Sequence, residues 1–169
     1  SFKYETQVIV TAMSSDGENM ADVLAGVGAS AALMVSDIPF AGPIATVRVG
    51  RVDNNFIVNP TREQMASSDM EIIVSGNDST IVMVEGEAKL ITEEEFLDAL
   101  KFAHGPIKEL IALQNKLVSE LDIIKREAPP EEDNSELEKA VEKLVSEKID
   151  NAIKISDKIE RQNAISVIH

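Results

Sequence analysis

Arg48 and Arg51 are the one close pair of cations on a stretch that reads as a strand, ATVRVGRV. Guanidinium groups so placed are candidates for phosphate contact, and hence for RNA, against the competing reading of an interface or surface ion pair. Glu85 and Glu87 stand two apart, which on a strand sets both on one side, as acid-base work requires; one exposed face gives the same pattern. Glu93, Glu94 and Glu95 open a helix, where negative charge complements the backbone dipole. His104 precedes Gly105-Pro106, a place for contact with helix-end carbonyls, and His169 is the last residue. Neither has a second His three or four residues away, so zinc has no helical site. No Ser, His and Asp set has nucleophilic spacing, and GVGAS at residues 26–30 lies inside a helix rather than in a phosphate loop. Phe2, Tyr4, Phe40, Phe56, Phe96 and Phe102 are scattered and form no stripe on which RNA bases would stack.

Composition narrows the classes further. The chain has 169 residues, 16 Lys and Arg against 30 Asp and Glu, and a formal charge of -14, which repels phosphate backbones unless cations cluster. They do not: 10 basic residues meet 19 acidic ones through Arg126, and 6 meet 11 beyond it. The absence of Cys excludes disulfides, thiolate zinc and a Cys nucleophile, and fits a reducing compartment, so the cytoplasm is expected. With 44% apolar residues the chain can build a core. Its longest apolar run, residues 23–35, falls short of the ~20 residues of a membrane-spanning helix, and no secretory signal opens the chain.

These side chains must be positioned by elements with local signatures. Residues 3–14 alternate and are rich in Val, Ile and Thr, which predicts a strand. Residues 20–36, apolar almost all round and built of small residues, predict a buried helix in which Gly26, Gly28 and Ala29 allow close approach. Asp53-Asn54-Asn55 predicts a hairpin over residues 44–59, and Gly76-Asn77-Asp78-Ser79 a second, with a turn composition that tolerates positive φ. Thr92 with Glu95 makes a capping box before a helix, interrupted at Gly105-Pro106 and resumed to Leu121. The acidic, proline-paired stretch 127–134 reads as a linker. Beyond it, Ser135 with Glu138 predicts a capped helix, and Ser156 and Asp157 cap another reaching His169. Two such helices cannot enclose a core alone, and the chain stops within an apolar pattern, as a cut chain would.

The segments TQVIVTAMSSD, ADVLAGVGASAALMVSDIPFAGPIATVRVG, FIVNPT and MEIIVSGNDSTIVMVEGEA together resemble bacterial polynucleotide phosphorylase. The resemblance covers essentially the whole chain. It implies a fragment: residues 1–126 as the second half of the first ribonuclease PH-like domain, 127–134 as linker, and 135–169 as the start of the all-helical domain. The fold expected is α/β (α+β), a mixed or antiparallel sheet packed on helices, then an all-α segment. Members of the family are ring-shaped homotrimers that degrade RNA from its 3′ end by phosphorolysis, with a divalent metal (magnesium or manganese) and inorganic phosphate.

The residues depart from the family's active pattern. Where the active domain holds phosphate on a Ser-rich turn, this chain reads Asn19-Met20-Ala21-Asp22, and an Asp there repels phosphate. Where the active domain carries an Asp, Asp, Asp, Lys run, this chain reads Met65, Asp69, Glu71 and Ile73. Asp69 and Glu71 are weak metal candidates; Met65 and Ile73 supply no oxygen donor or charge. The arginine-rich channel loop that the family implies would precede Ser1. The expectation is a noncatalytic scaffold and trimer-forming part of an RNA-degrading transferase, binding no cofactor itself. It should self-associate through an exposed sheet edge or apolar face. Two rivals remain: an RNA-path or assembly module in which Arg48 and Arg51 guide RNA, and an unrelated acidic metabolite-binding α/β domain, which a closed apolar pocket with convergent polar groups would support.

Overall fold

A computed structural model of the chain describes residues 4–127 and 133–168. Its contacts divide the molecule into two units that part near residue 128. Of the linker expected over 127–134, residues 128–132 lie outside the described residues.

The larger unit is built on β1 (Ala45–Val52), β2 (Asn55–Val58), β3 (Met70–Gly76) and β4 (Ile81–Ala88), all antiparallel in the order β2-β1-β3-β4. This is the α/β architecture the sequence predicts. Asp53 and Asn54 adopt φ of 50° and 61°, the left-handed conformation that a tight two-residue hairpin turn demands, and Val52 is thereby set opposite Asn55. The second turn does without positive φ. Asn77 Oδ1 instead accepts the backbone N–H groups of Ser79 and Thr80.

One face of the sheet carries the core. Ala45, Val47 and Val49 of β1 and Met70, Ile72 and Val74 of β3 pack against Ala99, Ala103, Ile107 and Ile111 of α3 (Glu93–Ser119). Thr92 and Glu95 close the predicted capping box at its start. The expected break at Gly105-Pro106 does not occur. A helix-interior proline costs roughly 3 kcal/mol, but buried residues recur at every fourth position on both sides of Pro106, and burying that one stripe outweighs the penalty.

On the other face lies α1 (Asp22–Val35), and its burial departs from the expectation. Val23 and Ser30 are buried, whereas Leu24 and Gly28 are exposed, because the sheet underlies one side of the helix only. Gly26 is the close approach: a Cβ there would lie 2.7 Å from Thr46 Oγ1, while Gly28 faces open space. The strand expected over 3–14 does not form among the described residues; 5–13 are exposed and join no ladder. A strand pattern without a partner strand has no hydrogen bonds to make.

The smaller unit contains α4 (Ser135–Ala152) and α5 (Lys158–Ile168). Ser135 does not cap α4 as predicted: its N–H donates to Asp133 Oδ1, and Asn134 precedes the helix without a side-chain cap. Asp157 caps α5 by accepting the N–H groups of Ile159 and Glu160. Ala152 alone of its described apolar residues is buried, so these helices enclose no core of their own. His169 lies outside the described residues. Among the described residues no helix is long and apolar enough to cross a membrane.

Candidate functional site

Arg48 and Arg51 are three apart on β1, and alternation sends them to opposite faces of the sheet. They do not form one cationic patch. Arg48 points to the α1 side, 5% exposed. Its Nη2 and Nη1 donate to the Asp22 carboxylate at 2.6 and 3.2 Å, and Met20 Sδ lies 2.9 Å from Nη1. Its Nε sits 2.9 Å from Glu71 Oε1, an ion pair without hydrogen-bond alignment. The backbone is held too: Arg48 N–H donates to Asn59 Oδ1 and Asn59 N–H to the Arg48 carbonyl. Asn59, at φ 47°, supplies the left-handed residue that lets both bonds close.

Arg51 points to the α3 side, 8% exposed. Nε donates to both Asp69 oxygens at 2.9 and 3.1 Å, Nη2 to Asp69 Oδ2 at 2.7 Å, and Nη1 to Glu95 Oε1 at 2.6 Å. The Arg51 N–H donates to Ser68 Oγ. Glu95, in the first turn of α3, also accepts the Thr92 N–H.

Each cluster therefore sets one cation against two carboxylates and carries net negative charge. The hydrogen bonds from Arg48 hold Asp22 below the usual carboxylate range, and those from Arg51 do the same for Asp69. Glu95 falls to about 2, first through the Thr92 N–H and then through Arg51. Arg51 is raised in turn by Asp69 first and Glu95 second. An approaching phosphate meets surplus negative charge at both arginines.

The metal candidates are likewise divided. Asp69, one residue before β3, is taken by Arg51, and Glu71 by Arg48. Met65 packs beside Gly50, where a Cβ would lie 3.1 Å from its Sδ. Among the described residues no group of three or more His, Asp or Glu is placed to hold a metal ion. Glu85 and Glu87 do share a face of β4, with Glu87 directly opposite Glu71, and both are exposed. His104 is mid-helix rather than at a helix end; its Nε2 lies 3.0 Å from the Asn77 carbonyl and ties α3 to the β3–β4 turn.

An open groove of about 510 Å³ is lined by Ile72, Gly86, Ala88, Ile91, Phe96 and Leu97 among others. A smaller one of about 200 Å³ lies at the start of α1, beside Arg48 and Asn59. Neither is a closed apolar pocket with convergent polar groups, the observation the metabolite-binding reading requires. Asp22 and Glu95 as arginine partners are legible only in three dimensions. The residue types gave a signal, since an acid in a helix first turn is ready to meet a cation.

Residues 42–105 match the 3′ exoribonuclease family, domain 2. Along 99% of its length the chain is 46% identical to a polyribonucleotide nucleotidyltransferase of Geotalea uraniireducens and 51% identical to one of Syntrophotalea carbinolica. A polyribonucleotide nucleotidyltransferase of Heliobacterium modesticaldum is 41% identical over the same share. The chain spans about a quarter of the length of these relatives, 24% in each.

Proposed function

We propose, for a chain that is a relative of bacterial polyribonucleotide nucleotidyltransferases and whose residues 42–105 belong to the 3′ exoribonuclease family, that it is a noncatalytic scaffold within a phosphorolytic 3′-to-5′ exoribonuclease. The whole enzyme would act in the cytoplasm in mRNA degradation, assemble as a homotrimer to which this part contributes contacts, and draw its chemistry from another domain. The observation that carries the reading is the Asp22 carboxylate in the first turn of α1, bonded to Arg48 through both oxygens. A helix N-terminus beside a buried arginine would otherwise attract an oxyanion; here the chain's own anion takes both the dipole and the cation.

A divalent metal ion and inorganic phosphate belong to the whole enzyme under this proposal. The residues of this chain do not fit the metal: Asp69 and Glu71 serve different arginines, and Met65 and Ile73 bring no oxygen donor. No reaction step is assigned to them. The RNA-path alternative asks Arg48 and Arg51 for free donors, and their burial against four carboxylates speaks for a structural role instead.

The test is phosphate-dependent release of nucleoside diphosphates from poly(A) by this chain. The expected rate is that of the buffer. Turnover above it, lost on adding a chelator, would overturn the proposal.

A further inference from the structure

α1 ends without a cation of its own. DVLAGVGASAALMV holds no Lys, Arg or His, and Ser36 leaves the helix in extended conformation at ψ 170°. The last carbonyls of a helix find no partner within it and carry its negative end charge. Ser36 Oγ donates to the Leu33 carbonyl, and Pro39 beyond it has no N–H to give. The rest is supplied from 89 to 92 residues further along the chain. Lys125 Nζ donates to the carbonyls of Leu33, Met34 and Ser36 at 2.8, 3.0 and 2.8 Å.

The next residue closes the same contact. Arg126 N–H donates to the Asp37 carbonyl at 2.7 Å, and its guanidinium reaches Asp37 Oδ2 from Nη2 at 2.7 Å and from Nε at 3.1 Å. That ion pair has side chains 56% and 57% exposed and adds little, so the half-buried Lys125 carries the contact. Both residues stand on a strap, 122–126, which has no helix or ladder to order it, since α3 is already capped at Glu120. Leu33, Met34 and Ser36 are half-buried, and a carbonyl that Lys125 left would be poorly repaired by water. Each side therefore lacks what the other provides: α1 a cation at its negative end, the strap a surface to hold it. All of these groups lie in the larger unit, so the contact is complete within it.

We propose that residues 122–126 are a latch closed on the C-terminal end of α1. The last turn of that helix and the strap are ordered together and lost together, and loosening of the chain at residue 127 is passed to α1 rather than to α3. This is a property of the larger unit and stands apart from the scaffold reading. Such coupling is reciprocal, so it can be probed from either end.

Amide hydrogen exchange of the whole chain reads each part separately. Ser36, whose N–H donates to the Ala32 carbonyl, reports on α1, and Arg126 on the strap. Glu120, bonded to the Leu117 carbonyl, reports on the end of α3, and Val47 and Val49 on the sheet. Lys125→Met should speed exchange at Arg126 and at Ser36 at least ~10-fold and leave Glu120, Val47 and Val49 within ~2-fold. Ser36→Ala removes the hydroxyl that helps end α1 and leaves every atom of the strap in place, yet it should speed Arg126 about 5-fold. Exchange under Lys125→Met that rises at Arg126 alone, at Glu120 as much as at Ser36, at every one of these amides alike, or nowhere would overturn the proposal. So would an Arg126 amide indifferent to Ser36→Ala.

Discussion

Replacing Arg51 by Met keeps the length of the side chain and removes its charge from between Asp69 and Glu95. Arg51 is 8% exposed, yet the side chains of its partners are 39% and 41% exposed, so the loss lies between that of a surface pair and that of a buried one. Surface pairs contribute ~0–1 kcal/mol and breaking a buried pair costs ~3–5, which places the expected loss at about 2–3 kcal/mol. At roughly 4 °C per kcal/mol for a unit of this size, the thermal midpoint should fall by ~8–12 °C at pH 7. The pH dependence makes the test specific. Asp69 and Glu95 are held below their ordinary values in the folded chain, Glu95 at about 2. A depressed carboxylate contributes stability that is fully present above its unfolded pKa, ~4, and is lost as pH falls through the folded value. The gap between the two proteins should therefore be widest at pH 6–7 and narrow as pH drops from about 4 toward 2. Glu95 keeps part of its dependence in the variant, because the Thr92 N–H, which lowers it most, is still there. Urea midpoints across that range check this. A gap that stays constant from pH 7 to pH 2.5, or one under ~0.5 kcal/mol throughout, refutes the claim that the cluster acts through its charges.

Gly26→Ala should cost about 1–3 kcal/mol, since its Cβ would sit 2.7 Å from Thr46 Oγ1 on the sheet, whereas Gly28→Ala, with open space, should be neutral or stabilise by up to ~1 kcal/mol; urea denaturation of both compares them. Ile107→Ala should cost about 2–5 kcal/mol by the same measurement, because it removes a fully buried side chain from the stripe under β1 and β3. Lys125 Nζ donates to the carbonyls of Leu33, Met34 and Ser36 at the end of α1, so Lys125→Met should speed hydrogen exchange at the Arg126 amide, which donates to the Asp37 carbonyl, and leave the Val47 and Val49 amides protected.

What the sequence revealed follows from the range of the interaction. The hairpin turn at Asp53-Asn54 and the box between Thr92 and Glu95 are settled by residues two or three apart, and both form. The continuity of α3 through Pro106 depends on a stripe that needs β1 and β3 beneath it, which no local rule contains. The pattern at 3–14 is legible, but the partner strand it requires is not. The arginine partners are more distant still: Asp22 lies 26 residues from Arg48, and Glu95 lies 44 from Arg51. Strand alternation alone, however, says that residues three apart face opposite ways, and that much of the separation of Arg48 from Arg51 is written in their spacing.

That separation explains the design of the sheet. β1 is bonded on both sides, to β2 and to β3, and it is the strand on which both helices rest. Arg48 fastens the N-terminal turn of α1 to one face through Asp22, and Arg51 fastens that of α3 to the other through Glu95. Both carboxylates stand at the positive end of a helix dipole, where they are already favoured, so each arginine meets an acid that the helix itself holds in place. A residue pair chosen to grip a mobile polyanion would leave its donors exposed and on one side. Donors buried on opposite sides, each facing two acids, instead fix two helices to one strand. Replacing either carboxylate with a neutral residue would loosen a helix start before it could create a phosphate site, since Glu71 or Asp69 would still hold the freed arginine.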